Sequence, residues 1–112
     1  MKTLSFLTLQ EKQALQELSL ILHEIFPVAE IILFGSKARG DFDVESDIDL
    51  LILTGHKIDR KKRHEITHYV FEVNLKYDVN ISTLVIPKKE WEEGLYPVLP
   101  IYWEISEQGI LI

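Results

Sequence analysis

Hydrophobic residues along this chain recur at two different spacings, and the spacing separates predicted helices from predicted strands. Between residues 9 and 25, leucines and isoleucines return every three or four positions, which predicts an amphipathic helix. Thr8 and Glu11 form the pattern of a capping box at its start, and Pro27 prevents its continuation. Helical patterns recur in three later segments: residues 58–76, the stretch from Pro87 to Gly94, and the tail ending near Gly109.

Short continuous apolar runs predict three buried strands, at residues 29–34, 48–53 and 79–86. Residues 36–41 are polar and bounded by glycine, which predicts a turn leading into one turn of helix. Together these elements predict an α/β (α+β) fold, with a small mixed sheet of three or more strands and helices packed mainly on one side. No linker or repeat interrupts the pattern, so residues 1–112 are predicted to form a single domain.

Composition narrows the class of protein without indicating its chemistry. Hydrophobic residues make up 46% of the chain and charged residues 27%, as in a folded, soluble domain. The net charge of −6 argues against binding to DNA or to a membrane through overall charge. Cysteine is absent, which excludes disulfides and cysteine-based zinc sites and fits a reducing compartment. Because we find no signal peptide and no run long enough to span a membrane, a cytoplasmic protein is predicted.

Acidic residues are concentrated just before and within the second predicted strand. Five of the 18 acidic residues fall in one short stretch, namely Asp41, Asp43, Glu45, Asp47 and Asp49. Asp47 and Asp49 begin an apolar strand, and their spacing of two places both side chains on one face. Two neighbouring carboxylates are costly there unless a cation neutralises them. Oxygen ligands without His or Cys favour Mg²⁺ or Mn²⁺ over zinc.

A glycine-serine turn follows the first predicted strand and is suited to binding phosphate. Gly35 permits close approach of the backbone, while Ser36 and the N–H groups of a helix start can hold phosphate oxygens. Arg39 offers a forked, permanently charged group to phosphate, and Lys37 adds a point charge. A phosphate-binding turn beside a carboxylate metal site is the arrangement that phosphoryl and nucleotidyl transfer require.

The spacing of these two motifs resembles a known signature. Gly35-Ser36, ten intervening residues and Asp47-Ile48-Asp49-Leu50 are similar to the signature of the polymerase-β-like nucleotidyltransferase superfamily. The form GSKARGD…SDIDL most resembles its smallest branch, the minimal nucleotidyltransferases. The resemblance implies that Asp47 and Asp49 hold the metal and that Gly35 and Ser36 hold the triphosphate of ATP or another NTP.

The same resemblance implies a reaction and a partner. The expected reaction is Mg²⁺-dependent transfer of a nucleoside monophosphate, with AMP from ATP as the first candidate, to an acceptor hydroxyl. Minimal members often act beside a small helical HEPN-type protein encoded nearby, as the antitoxin that adenylylates the toxin of the pair. The resemblance therefore implies that a HEPN-type protein is the partner and carries the acceptor hydroxyl.

One position departs from the family pattern. The family places a third carboxylate on a later strand between apolar residues, and the matching residue here is Asn80. Asn80 can ligate through its carbonyl oxygen but cannot act as a base. Asp78, two residues earlier, is a candidate substitute if the strand begins early enough, and otherwise is merely a strand-start residue. Asn80 also supports an alternative function, a catalytically degenerate module that neutralises its partner by contact.

A histidine pattern and a group of aromatic residues also resemble functional motifs. For both, we favour a structural role over a catalytic or binding one. His64-Glu65-Ile66-Thr67-His68 matches the H-E-x-x-H motif of zinc metalloproteases. Both histidines project opposite the apolar stripe of their helix, and the basic run at residues 60–63 opposes cation binding, so we predict a solvent-facing or partner-facing surface. Aromatic residues near the C-terminal end are predicted to serve the core or an interface, namely Trp91, Tyr96, Tyr102 and Trp103.

Overall fold

The computed structural model describes residues 6–41 and 46–112. In chain order its elements are α1 (Leu9–Ile25), β1 (Val28–Phe34), α2 (Ser36–Arg39), β2 (Ile48–Thr54), α3 (Arg60–Tyr77), β3 (Ile81–Pro87), α4 (Lys88–Glu93), a 3-10 turn (Tyr96–Val98), α5 (Pro100–Gln108) and β4 (Ile110–Leu111). The predicted helices and strands are all present, and the short β4 and the 3-10 turn are added to them. None of the helices in the described ranges is both long and apolar enough to cross a membrane.

The strands form one mixed sheet in the order β3-β2-β1-β4, which confirms the predicted fold class. β1 and β2 are antiparallel, β2 and β3 are parallel, and β4 runs antiparallel to β1. The parallel pair requires a crossover, which α3 supplies. In this register Asp49 lies opposite Phe34 on one side and opposite Ser82 on the other. The acidic start of β2 is therefore flanked by the end of β1 and the start of β3.

Both faces of the sheet are covered, one more thickly than the other. Along β2, Ile48, Leu50 and Ile52 belong to the larger apolar core, which includes the buried residues of α1 and α3. Leu51 and Leu53 belong to a smaller core with Ile86, Trp91 and Ile105, which are contributed by β3, α4 and α5. The two long helices thus lie on one side, as predicted, and the short helices form a thinner second layer that brings α5 over the sheet.

The aromatic residues of the second layer divide between core and surface. Trp91 is buried and packs against Tyr96 and Tyr102, with ring centroids 5.5 and 4.9 Å away. Trp103 is 58% exposed. The predicted core role is confirmed for Trp91, while Trp103 lies at the surface.

Helix ends explain where the neighbouring elements begin. The predicted capping box of α1 is confirmed: Glu11 N–H donates to Thr8 Oγ1 at 3.1 Å, and Thr8 N–H donates to Glu11 Oε1 at 2.9 Å. At the other boundary, Asp78 ends α3 in the left-handed conformation with φ +52°. The Asn74 amide then accepts from Ile81 N–H at 2.8 Å and donates to Ile81 carbonyl at 3.1 Å. β3 consequently begins at Ile81, two residues later than the predicted start at Val79.

Candidate active site

Asp47 immediately precedes β2 and Asp49 is the second residue of that strand, opposite the last residue of β1. Successive side chains of a strand point to opposite faces of the sheet. The side chain of Asp49 therefore shares a face with Leu51 and Leu53, on the side covered by α5. Burial raises the pKa of Asp49, and the neighbouring charge of Asp47 raises it further, while Arg39 acts in the opposite direction. The ionised pair is therefore unfavourable by itself and would be stabilised by a cation.

Gly35 forms the contact between the phosphate-binding candidate turn and the acidic pair. Its φ of +78° lies in the region that favours glycine, and a Cβ built there would collide with Oδ2 of Asp49. The N–H groups of Ala38 and Arg39 both donate to the Gly35 carbonyl at 3.1 Å, which closes the turn into α2. The structure thus brings the backbone of the turn directly against the carboxylate, with Ser36 next in the chain.

Arg39, the last residue of α2, is held between two carboxylates. Its Nε donates to Oδ1 and Oδ2 of Asp41 at 3.2 and 3.1 Å, and its Nη1 donates to Oε1 of Glu104 on α5. The hydrogen bond to Asp41 is the largest cause of the raised pKa of Arg39, and the charges of Asp41, Glu104 and Asp49 also raise it. The guanidinium of Arg39 and the carboxylate of Asp49 therefore attract one another.

Glu104 is a residue of this site that sequence reasoning did not identify. It lies 65 positions after Arg39 in the chain and belongs to no motif. Its place at the site depends on α5 packing on the second face of the sheet, which no local pattern indicates. An acidic residue on the exposed face of a predicted helix gives no signal by itself.

Two predicted site residues are not brought to the acidic pair. Lys37 is 5% exposed, and its ammonium lies 3.2 Å from Oε2 of Glu11, so it joins α2 to α1. This placement does not support the predicted phosphate contact. Asp78 is the exposed C-cap of α3 and precedes β3, so it does not lie on the strand as its predicted catalytic role required.

Asn80 occupies the position next to the acidic pair instead. Its Nδ2 donates to Oδ1 of Asp47 at 2.7 Å, and its carbonyl accepts from Ile48 N–H at 2.8 Å. Ser82, which sequence reasoning also missed, lies opposite Asp49 in the parallel register. An amide and a hydroxyl therefore line the strand face on which a third carboxylate was expected.

The donor set fits Mg²⁺ or Mn²⁺ shared with a bound phosphate. Within residues 6–41 and 46–112, no three His, Cys, Asp or Glu side chains are grouped so that they alone could hold a metal. Mg²⁺ is commonly bound through one or two carboxylates together with substrate phosphates, and Asp47 and Asp49 supply those carboxylates. Asp43 and Glu45 of the acidic run lie outside the described residues.

The histidine pair of the H-E-x-x-H pattern lies elsewhere, on the outer surface of α3. His64 and His68 are exposed, opposite the buried residues Ile66 and Val70 of the same helix, as predicted. With Lys61, Glu65 and Tyr69, they line an open depression of about 440 Å³. His68 pairs with Glu72 at 2.9 Å. In the described part of the chain, neither Glu65 nor Glu72 joins the two histidines in a group of three side chains that could hold a metal ion, so the metalloprotease interpretation is not supported.

Comparison with known proteins agrees with this geometry. The family model described as "Nucleotidyltransferase domain" matches residues 15–108. A protein of Methanocaldococcus jannaschii that bears the name "putative protein adenylyltransferase" is 39% identical over 77 residues, covering 69% of this chain and 76% of that protein.

Solved structures share the fold at lower identity. One, described as a toxin-antitoxin with AMP-PNP, has a TM-score of 0.59 and 20% identity, covering 89% of this chain and 70% of its own. A second contains a tri-AMPylated Shewanella oneidensis HEPN toxin with its MNT antitoxin, at a TM-score of 0.52 and 18% identity, covering 92% of this chain and 71% of that one.

The region matched by the family model contains the glycine-serine turn, the acidic strand and α5, which are the elements that build the site. The Methanocaldococcus relative is matched over 76% of its own length at 39% identity. Together with the mixed sheet and the contact between Gly35 and Asp49, these matches confirm the family resemblance. The chain belongs to the nucleotidyltransferase domain family.

Proposed function

We propose that this chain is a Mg²⁺-dependent adenylyltransferase that transfers AMP from ATP to a hydroxyl group of a partner protein. The observation that carries the proposal is the contact between Gly35 and Asp49, because it joins a phosphate-binding turn to a metal-binding carboxylate. A nucleoside triphosphate bound with Mg²⁺ needs both groups at one place. The name of the Methanocaldococcus relative supports adenylyl transfer to a protein.

The residues divide the work of this reaction by their chemistry. Asp47 and Asp49 would hold Mg²⁺ or Mn²⁺, which supplies charge neutralisation at the phosphates when bound. The backbone of the Gly35 turn and the hydroxyl of Ser36 bind phosphate oxygens, and Arg39 carries a positive charge to the same region. The acceptor oxygen attacks the α-phosphorus, the bond to pyrophosphate breaks with its electron pair on the departing oxygen, and the hydroxyl proton passes to water.

Asn80 limits this chemistry at one step. Its amide keeps Asp47 oriented through a hydrogen bond of 2.7 Å, but it cannot accept the proton of the attacking hydroxyl. The expected enzyme is therefore competent in nucleotide binding and slow in transfer. Replacement of the amide by a carboxylate should speed the transfer step.

We further propose that the acceptor is a helical HEPN-type protein encoded beside this chain, so that the chain acts as the antitoxin of the pair. The fold neighbours support the proposal, since they include an MNT antitoxin solved with an AMPylated HEPN toxin. The test is to incubate this chain, Mg²⁺ and ATP with the neighbouring protein and to measure the intact mass of that protein. The expected result is a mass gain of one or more AMP groups.

Matched variants make this experiment specific. Asp47→Asn and Asp49→Asn each replace a carboxylate by a nearly isosteric amide and should abolish the mass gain. Glu93→Gln makes the same change at an exposed position of α4 and should leave it intact. If the neighbouring protein remains unmodified when it is incubated with the wild-type chain, Mg²⁺ and ATP, the proposed transfer is contradicted.

The hydrogen bond from Asn80 to Asp47 favours one alternative, a catalytically degenerate module that neutralises its partner by contact. In that case a stable complex forms, the partner gains no AMP, and the Asp47→Asn variant still neutralises it. Loss of neutralisation in the Asp47→Asn variant supports the enzyme instead.

A further inference from the structure

We propose that Glu104 is a positioning residue which, together with Asp41, orients the Arg39 guanidinium toward the triphosphate. The inference rests on the proposed function, because it assumes that Mg²⁺-ATP binds at the Gly35 turn. Two of the N–H groups of Arg39 are used, since Nε donates to Asp41 and Nη1 donates to Glu104. A guanidinium has five such donors in a fixed planar fork. Nη2 makes no hydrogen bond to any residue that the structure describes, so it is available to a phosphate.

The second layer of the fold holds Glu104 at this place. Ile105, the next residue, is buried in the small core with Leu51 and Leu53 of β2. The chain then returns to the sheet, where Ile110 pairs with Leu33 of β1. The backbone at Glu104 is therefore held by the buried side chain of the next residue and by the paired strand that follows α5. A carboxylate on a helix that is packed on the sheet in this way gives Arg39 a partner 65 residues away in the sequence.

Several carboxylates attract the Arg39 guanidinium, and this competition explains how Glu104 could matter for function. Asp49 also attracts Arg39, and a guanidinium that settled on Asp49 would occupy an oxygen required by the metal. Asp41 and Glu104 hold the guanidinium by its Nε and Nη1 sides instead. Arg39 therefore stays near the acidic pair without forming an ion pair with Asp49.

Replacing Glu104 tests this function because two effects have opposite signs. Glu104 is itself negative, so simple electrostatics predicts that its removal strengthens the binding of a triphosphate. Loss of positioning predicts weaker binding instead. The sign of the change therefore separates a positioning role from a bystander charge.

The experiment is isothermal titration of the full chain with Mg²⁺-ATP and, separately, with adenosine. Glu104→Gln should weaken Mg²⁺-ATP binding about two- to fivefold and leave adenosine binding unchanged, because the affected contact is to phosphate. Glu104→Asp, which keeps the charge, should recover part of the loss. Asp41→Asn should act in the same direction as Glu104→Gln. Glu93→Gln, the matched control on α4, should change neither affinity.

A double-variant cycle supplies the decisive comparison. Arg39→Gln should weaken Mg²⁺-ATP binding by about 10- to 100-fold, and adding Glu104→Gln should then cause no further loss. Three results would overturn the positioning role. The first is unchanged or tighter Mg²⁺-ATP binding by Glu104→Gln alone. The others are an equal loss of Mg²⁺-ATP affinity when Glu104→Gln is added to Arg39→Gln, and an equal loss of affinity for adenosine. Wild-type protein that binds no Mg²⁺-ATP would contradict the proposed function as well, which is a different and recognisable result.

Discussion

Gly35→Ala is the substitution whose effect the structure defines most closely. The backbone at Gly35 has φ +78°, and alanine there costs about 1 kcal/mol in strain. The new Cβ would also overlap Oδ2 of Asp49, so the carboxylate must retreat by about 1 Å to reach ordinary van der Waals separation. A misplacement of about 1 Å at a catalytic group costs about 100-fold in rate. We expect a modest loss of stability together with a roughly 100-fold loss of transfer.

Gly40→Ala is the matched control for this substitution. Gly40 has φ +89°, so the backbone strain is similar, but the new Cβ would meet the ring of Phe6 at 2.6 Å and not Asp49. Both variants should lower the melting temperature, by about 4–8 °C for each kcal/mol. Calorimetry and AMP transfer to the neighbouring protein are measured side by side. Equal loss of transfer in the two variants, or full activity in Gly35→Ala, would refute the proposed role of the turn–carboxylate contact in transfer.

Three further substitutions have defined outcomes. Asn80→Asp replaces the amide that donates to Asp47 by a third carboxylate. Calorimetry should show a lower melting temperature than wild type without metal, because the carboxylates repel one another, and a larger rise in melting temperature on adding Mg²⁺. AMP transfer should be faster. Lys37→Met should lower the free energy of unfolding in urea by about 1–3 kcal/mol, because the Lys37 ammonium bonds to Glu11. The affinity for Mg²⁺-ATP should be unchanged. A reduced affinity would instead support a phosphate contact by Lys37. Asp49→Asn should stabilise the metal-free protein at pH 7, because the pKa of Asp49 is raised on folding and ionisation there opposes folding. That advantage should shrink as the pH falls through the raised pKa, since wild-type Asp49 is then protonated; urea unfolding at a series of pH values measures it.

The local parts of the site could be predicted from the sequence because their chemistry is local. A strand alternates with period two, so Asp47 and Asp49 had to share a face, and Gly35 had to end the preceding strand. The structure adds that these two segments touch. Antiparallel pairing of β1 with β2 brings them together, and the apolar runs alone do not specify that register.

The remaining parts depend on long-range packing. Lys37 has the chemistry of a phosphate ligand, but its helical position turns it toward Glu11 of α1. Glu104 has no distinguishing neighbours in the sequence and reaches Arg39 only after α5 packs on the second face. The apolar run after Asp78 predicts a strand from Val79 and leaves open whether Asp78 lies on it, whereas the side chain of Asn74 bonds the backbone of Ile81, where the strand begins.

The most direct test of a shared metal and triphosphate site is a crystal structure of the chain with Mn²⁺ and a non-hydrolysable ATP analogue. Anomalous scattering locates the manganese without reference to the protein density. We expect a manganese peak next to the carboxylates of Asp47 and Asp49, with the triphosphate lying along Gly35 and Ser36. Manganese on another surface, or a triphosphate bound away from the Gly35 turn, would contradict a shared site.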